Sequence, residues 1–372
     1  MTRSFARLIC VLGVLVAWAA PLGAQRWQMQ YLYDQSKSSL TINDLHFASA
    51  TRGVAVGIIQ EGSRERPVAL VTSDGGAHWQ LVPLKEPPVS LFFLNENVGW
   101  MVTAKGLWQT TEAGNDWHKL PKIPAGILRV YFADENNGWA AGAKKTVVET
   151  HDGGQQWKPL AAAAEPPGAR DYSTYAWIAF ATPQAGLITG WNRPPRRFTP
   201  QFPAWMDPEA ALSLRETPHL VFQLVTLDGG KTWKASSGSV LGAVTRLRFA
   251  REGAGLGLVE YGVSFRFPSE AYRIDWTTGK AQTVFRDPKF AISDVWLTPQ
   301  GTGYLAGIRV GGQLRGVVPG KVVVLKSGKD PSTWTEMEVD YRAVAMRAVL
   351  AGADEHNIWL AAANGMILKL VE

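Results

Sequence analysis

Arginine and tryptophan side chains are concentrated in a few polar, proline-containing segments of this 372-residue sequence, the longest of which spans 191–218. The candidate binding residues in these segments are Trp191, Arg193, Arg196, Arg197, Trp205, Arg266, Arg309 and Arg315. Arginine beside aromatic residues is the usual make-up of the residues that dominate binding at protein interfaces. The segments could therefore bind an acidic partner, such as a protein segment, a lipid headgroup or an acidic polysaccharide. An ordinary solvated loop surface is the alternative.

Other kinds of site receive little support from the sequence. The histidines are His46, His78, His118, His151, His219 and His356, and they form no close pair with metal-ligand spacing. The only cysteine, Cys10, lies in an N-terminal apolar run, so the rest of the chain has no thiol ligand. The sequence has no Gly-x-Ser-x-Gly, no His-Glu-x-x-His and no phosphate-binding glycine-rich loop. We therefore expect no catalytic motif of these classes, no metal and no cofactor.

The N-terminus has the pattern of a secretory signal. Arg3 and Arg7 precede the apolar run 8–20, and small residues follow up to Ala24. The apolar run is too short to cross a bilayer comfortably. We predict a signal peptide over 1–24 and export to the periplasm, the thylakoid lumen or the extracellular space. Export makes nucleic acid an improbable partner, and we expect a monomer.

Internal repeats are the dominant feature of the rest of the chain. The pattern Thr-x-Asp-x-Gly-x-x-Trp, which we call the box, occurs three times in full and once in a softened form without the Asp. Its residues are Thr72, Asp74, Gly76, Trp79, Thr150, Asp152, Gly154, Trp157, Thr226, Asp228, Gly230 and Trp233, with Thr110, Gly114 and Trp117 in the softened copy. Thr and Asp can satisfy backbone N–H groups in a tight turn, and Trp can pack beside a neighbouring sheet. These residues are thus predicted to be structural. Their spacing of about 40 residues is typical of four-stranded propeller blades.

A second repeated element precedes each box position and indicates the number of blades. Seven copies of a strand, a turn and a second strand can be aligned along the sequence. The last copy, from Met346 to Glu372, has room for only three strands, and an unassigned strand over 27–32 could supply its fourth. We predict an all-β fold over 25–372: a seven-bladed propeller of four-stranded antiparallel blades, closed by the N-terminal strand. A loop insertion at 191–218 between the second and third strands of blade 4 would contain a helix over 208–216.

The boxes also carry a resemblance to known families. Thr-x-Asp-Gly-Gly-x-x-Trp resembles the Asp-box, or BNR, repeat of sialidase-like propellers. Together with the preceding Phe and Gly-Trp elements, it resembles the photosystem II stability/assembly factor family of exported propellers. That resemblance implies a non-catalytic scaffold that docks a protein client, such as a subunit of a membrane complex. It is strongest over 40–160 and 175–235.

An exported glycan-active enzyme or a glycan-binding propeller is the alternative function. Tyr272-Arg273-Ile274-Asp275 is similar to the Phe/Tyr-Arg-Ile-Pro motif of sialidases, but it falls in the fifth repeat and lacks the proline. A glycosidase would need a carboxylate pair that only the folded chain could bring together. Four acids that the repeat alignment assigns to turns between first and second strands are Asp134, Glu135, Asp294 and Asp354. A carboxylate pair in the central cleft would favour the enzyme, and a basic cleft without one would favour the scaffold.

Overall fold

The computed structural model describes residues 25–195, 217–250, 253–262, 266–310, 320–340 and 342–371. The predicted signal peptide 1–24 and the predicted helix over 208–216 lie outside these ranges. So do four of the candidate binding residues, namely Arg196, Arg197, Trp205 and Arg315. No helix in the described ranges has the length and apolar character needed to cross a membrane.

The described chain forms seven antiparallel sheets that follow one another in sequence. It begins with β1 (Arg26–Leu32). Blade 1 contains β2 (Ser38–Phe47), β3 (Gly53–Glu61), β4 (Arg64–Thr72) and β5 (Gln80–Pro83). Blade 2 contains β6 (Pro88–Phe93), β7 (Gly99–Thr103), β8 (Gly106–Thr110) and β9 (His118–Lys119). Blade 3 contains β10 (Ile127–Phe132), β11 (Gly138–Gly142), β12 (Thr146–Thr150) and β13 (Lys158–Pro159).

The remaining four blades follow the same order. Two short 3-10 helices, Ala161–Ala164 and Arg170–Tyr172, lead into blade 4. Blade 4 contains β14 (Ser173–Phe180), β15 (Gly186–Asn192), β16 (His219–Thr226) and β17 (Lys234–Val240). Blade 5 contains β18 (Ala243–Phe249), β19 (Ala254–Glu260), β20 (Ser269–Asp275) and β21 (Lys280–Arg286). Blade 6 contains β22 (Phe290–Leu297), β23 (Gly303–Arg309), β24 (Gly320–Ser327) and β25 (Trp334–Met337), and β26 (Val344–Ala345) also pairs with β24. Blade 7 contains β27 (Ala348–Gly352), β28 (Ile358–Ala362) and β29 (Met366–Val371).

The seventh sheet is completed by the N-terminal strand, as the sequence predicts. β1 pairs antiparallel with β29, with Arg26 opposite Val371 and Leu32 opposite Met366. Trp27 is buried among residues of blades 6 and 7. The pairing covers the edge of the last sheet and so removes an exposed strand edge. The predicted seven-bladed, all-β architecture is confirmed.

Aromatic stacking joins neighbouring blades, including the last to the first. Trp100 of β7 stacks on Phe132 of β10 with 3.7 Å between ring centroids. Trp359 of β28 stacks in the same way on Phe47 of β2 at 3.4 Å, and its indole N–H donates to the Gly75 carbonyl at 3.0 Å. Stacked pairs of this kind stabilise a core beyond the area they bury. The same kind of stacked pair thus joins blade 2 to blade 3 and, between blade 7 and blade 1, closes the ring.

The box turns are held by short local hydrogen bonds. In the first box, the Thr72 hydroxyl donates to Asp74 Oδ1 at 2.9 Å and accepts the Gly76 N–H at 3.0 Å. Asp74 Oδ1 also accepts the His78 N–H at 2.9 Å, and the backbone bond from His78 is the main reason that the Asp74 pKa falls to about 2. The turns at Thr150 and Thr226 repeat this arrangement. In the softened copy, Thr110 Oγ1 still accepts the Gly114 N–H at 3.0 Å.

Candidate binding site

A β-bulge recurs at the same level of six of the seven innermost strands. In these six strands, the pairing with the neighbouring strand skips the residue that lies four positions before the end of the strand. The residues that follow the skip form what we call the bulge ring: Asp44, Ser90, Arg129, Trp177, Arg246 and Asp294. Bulges are common where a strand redirects a side chain toward a functional site. Here they place two acids, two arginines and a tryptophan around the central channel.

Asp44 links blades 1, 2 and 3. Its Oδ2 accepts the backbone N–H of Leu91 at 2.9 Å and a guanidinium N–H of Arg129 at 2.6 Å. Burial raises the pKa of Asp44, but the charge of Arg129 and the bond from Leu91 outweigh burial, so the pKa lies below its usual value. The carboxylate is therefore ionised and fully engaged. Arg129 also lies 4.7 Å from the ring centroid of Trp177.

Asp294 forms the corresponding link on the other side of the channel. Its Oδ2 accepts the N–H of Leu350 in blade 7 at 2.9 Å, and its Oδ1 lies 3.2 Å from Arg246 Nε. Asp294 is 1% exposed. Burial lowers the pKa of Arg246 to about 10, so this guanidinium remains charged at neutral pH. The channel thus contains two acid–arginine pairs that join different blades.

The position of Asp294 corrects the assignment made from the repeat pattern. The sequence alignment places it in a turn, whereas the structure places it inside β22. The error arises because an acid inside an apolar strand is costly unless it is paired, and the sequence does not show the Arg246 guanidinium and the Leu350 N–H that compensate Asp294 there. Asp134 and Asp354 do lie in turns, where each accepts two backbone N–H groups.

A wide cavity of about 1260 Å³ opens at the end of the channel where the second and third strands of each blade connect. We call it the b–c mouth. Four arginines line it, namely Arg129, Arg193, Arg246 and Arg347, together with one acid, Glu260. Val344 and Met346 add exposed apolar surface at 39% and 53% exposure. This combination of an arginine-bearing rim and apolar patches suits an extended, acidic peptide segment.

The structure brings only part of the predicted binding set to this mouth. Trp191 and Arg193 line it, although Trp191 belongs to β15, so the blade 4 connection begins at Arg193 and not at residue 191. Arg309 and Arg266 are absent from the lining of the mouth among the described residues. Arg309 instead pairs with Glu336, with Nη2 at 2.6 Å and 2.7 Å from the two carboxylate oxygens. Arg266 lies 5.3 Å from the ring of its neighbour Phe267.

Sequence reasoning missed the bulge-ring arginines and Arg347. Arg129 and Arg246 occupy strands that read as ordinary apolar elements, and Arg347 directly precedes β27. The usable signal was the recurrence of charged residues three positions before the strand-ending Phe132 and Phe249. Charge inside an apolar strand is costly unless it is paired, which marks such positions as candidates.

The sialidase-like segment does not form an open site in blade 5. The Tyr272 hydroxyl donates to Glu270 Oε2 at 2.5 Å, and Arg286 pairs with the other oxygen of this buried carboxylate. Burial, together with the bond to Glu270, raises the pKa of Tyr272. A tyrosine held in its protonated form is poorly suited to act as a nucleophile. In the described part of the chain, no group of three or more His, Cys, Asp or Glu residues is placed to hold a metal ion.

Fold and channel together define a seven-bladed β-propeller with an arginine-lined central channel. No family model matches the sequence. Over 47 residues, the chain is 43% identical to the Photosystem II assembly protein Ycf48 of Thermosynechococcus vestitus, a match that covers 12% of this chain and 13% of that protein.

Solved structures are similar over nearly the whole chain. A structure of YCF48 bound to D1 peptide matches with a TM-score of 0.57 and 16% identity, covering 92% of this chain and 99% of the other. YCF48 from Cyanidioschyzon merolae matches with a TM-score of 0.58 and 15% identity, covering 93% and 98%. The WD40 propeller domain of Doa1 matches with a TM-score of 0.54 and 11% identity, covering 94% and 98%. The resemblance to the photosystem II assembly factors is confirmed at the level of the fold.

Proposed function

We propose that this protein is a non-catalytic scaffold that binds an extended acidic segment of a protein client across the b–c mouth, in the manner of a photosystem II assembly factor. The composition of the mouth carries this proposal. Four arginines and one acid, Glu260, line the mouth. Two of these arginines, Arg129 and Arg246, pair with Asp44 and Asp294, and the other two are Arg193 and Arg347. The rim therefore favours a segment with acidic side chains, and Val344 and Met346 favour apolar side chains between them.

The likeness to the YCF48 structures supports a peptide as the ligand. One of those structures is bound to a D1 peptide, so a propeller of similar fold is able to bind a peptide. The predicted signal peptide supports a client outside the cytoplasm, so the proposal includes export of this protein.

The glycosidase alternative finds little support in the channel acids. Asp44 and Asp294 each accept backbone N–H groups and face an arginine, so their oxygens are already occupied. A glycosidase needs one carboxyl with a raised pKa to protonate the leaving group. The pKa of Asp44 is shifted in the opposite direction.

Peptide binding tests the proposal directly. A peptide of alternating Asp and Leu residues, and the same peptide with Asn in place of every Asp, would be titrated by fluorescence anisotropy at low and high salt. We expect saturable binding of the acidic form. Binding should be weaker at high salt, because dissolved ions screen the attraction between the rim charges and the peptide. The double variant Arg193→Gln/Arg347→Gln should bind about tenfold more weakly, since two rim charges at about 0.7 kcal/mol each give that factor.

The matched control is Arg309→Gln, which removes an arginine outside the lining of the mouth. It should bind the peptide as the unmodified protein does. Equal affinity of all three proteins would place the site elsewhere. Binding of the amide form as tightly as the acidic form would contradict the electrostatic argument.

A further inference from the structure

A second, smaller cavity lies at the opposite end of the channel. It has a volume of about 350 Å³ and is formed by the last residues of the innermost strands, at the same end of the propeller as the box turns. We call it the box-end chamber. Its lining includes His46, Phe92, Tyr131, Trp177, Arg248 and Trp296. Its volume is near the lower end of the range for small-molecule pockets, about 300 to 1,000 Å³.

Arg248 is the one cation of this chamber without an acid in direct contact. Of the charged residues that line it, Asp44 and Arg129 pair with each other. Arg248 makes neither a hydrogen bond nor an ion pair with any residue of the described ranges, and its Nε is buried without a partner. Burial lowers the pKa of Arg248, and the more distant charges of Asp294 and Asp44 offset part of that decrease. Arg248 is only partly exposed, and a cation with little access to water is costly unless an anion accompanies it.

Two indoles hold the Arg248 guanidinium in place. Its central carbon lies 5.1 Å from the ring centroid of Trp177 and 5.3 Å from that of Trp296. Stacking of this kind pre-organises a guanidinium while leaving its edge available to a carboxylate. The indole N–H of Trp296 is a second buried donor without a partner in the described chain.

His46 adds no charge to the chamber at neutral pH. Burial lowers its pKa to about 4, with Asp44 raising it and Arg248 lowering it further. The imidazole is therefore neutral, and Arg248 supplies the single unmatched positive charge. One unmatched charge suits a monoanion, because a dianion would leave one negative charge buried without compensation.

From this geometry we propose that the box-end chamber binds a small aromatic carboxylate. The carboxylate accepts hydrogen bonds from the Arg248 guanidinium, and the ring packs among Phe92, Tyr131 and Trp296. Planar apolar walls around one paired charge are typical of small-molecule sites. The proposal concerns the opposite end of the channel from the b–c mouth and does not depend on a peptide client.

Isothermal titration calorimetry at low ionic strength tests this proposal with four probes: benzoate, benzamide, acetate and inorganic phosphate. We expect saturable binding of benzoate and at least tenfold weaker binding of the other three. Benzamide keeps the ring without the charge, and acetate keeps the charge without the ring. Comparable affinity for benzamide would overturn the role of Arg248, and comparable affinity for acetate or phosphate would overturn the role of the aromatic walls.

Two variants locate the site. Arg248→Gln should bind benzoate at least tenfold more weakly, and Arg347→Gln, at the other end of the same channel, should bind it with unchanged affinity. For the acidic peptide, Arg347→Gln should weaken binding about threefold and Arg248→Gln should leave it unchanged, so failure of one proposal is distinguishable from failure of the other. If Arg248→Gln does not fold, the comparison of the four probes on the unmodified protein decides the question. Absence of saturable benzoate binding to that protein would overturn the proposal.

Discussion

The substitution Asp44→Asn isolates the contribution of a buried channel carboxylate to the stability of the ring. The change keeps the shape of the side chain, and its remaining oxygen can still accept one backbone N–H. It removes the charge that faces Arg129 at 2.6 Å and turns an amide donor toward a guanidinium. Arg129 then remains in the channel without its carboxylate, although its contact with Trp177 is unchanged.

The partial burial of the Asp44–Arg129 ion pair sets how much stability its loss should cost. Breaking a fully buried ion pair costs about 3 to 5 kcal/mol, because the remaining charge is left uncompensated. The side chains of Arg129 and Asp44 are 20% and 12% exposed, so water partly solvates the arginine. We therefore expect the free energy of unfolding to fall by about 2 to 4 kcal/mol. The double variant Asp44→Asn/Arg129→Met should recover about 1 to 2 kcal/mol of that loss, since it leaves no unpaired cation.

Equilibrium unfolding in urea at neutral pH, followed by circular dichroism, measures both values. Glu96→Gln, in an exposed turn of blade 2, is the control and should leave the midpoint unchanged. The folded-state pKa of Asp44 is lowered, so its stabilisation is complete above the unfolded carboxyl pKa of about 4 and is lost as the pH falls through the folded value. The reasoning is refuted if Asp44→Asn unfolds at the midpoint of the unmodified protein, or if adding Arg129→Met causes a further loss.

Two further substitutions and one deletion test other parts of the fold. Gly230→Ala should lower the free energy of unfolding by about 2 kcal/mol or more, because φ is +87° and the new Cβ would lie 2.0 Å from Trp139. The control Gly238→Ala has open space around it and should have little effect in the same urea assay. Glu86, which accepts bonds from Thr103, Trp108 and Lys119, has a pKa lowered to about 2, so Glu86→Gln should lose about 1 to 2 kcal/mol at neutral pH. Thermal melts should show this difference shrinking as the pH falls from about 4.5 toward 2, and a constant difference would contradict the assignment. Deleting residues 25–32 should expose the edge of β29 and cause self-association in size-exclusion chromatography, whereas a monodisperse product with an unchanged melting temperature would disprove the role of β1 in closing the ring.

The number of blades, the box turns and the closing strand are all predictable from the amino-acid sequence. These features are local, because the Thr72 hydroxyl reaches a backbone N–H only four residues away, and Thr150 and Thr226 repeat the same spacing. A strand shortage in the last repeat and a spare strand at residues 27–32 are likewise visible without a structure. The insertion at 191–218 stays a prediction, since residues 196–216 lie outside the described ranges and β15 extends to Asn192.

The composition of the channel, by contrast, depends on how the blades are arranged in space. Asp44 and Arg129 are 85 residues apart in the chain, and Arg248 lies between tryptophans of blades 4 and 6. The circular arrangement of blades brings these positions together, and one-residue bulges decide which side chains reach the axis. The recurring position three residues before Phe132 and Phe249 marks the bulge-ring arginines as candidates, but it does not show which charged side chains meet. The partner of each charged side chain therefore had to be read from the folded ring, because electrostatic pairing depends on distance in space and not on separation along the chain.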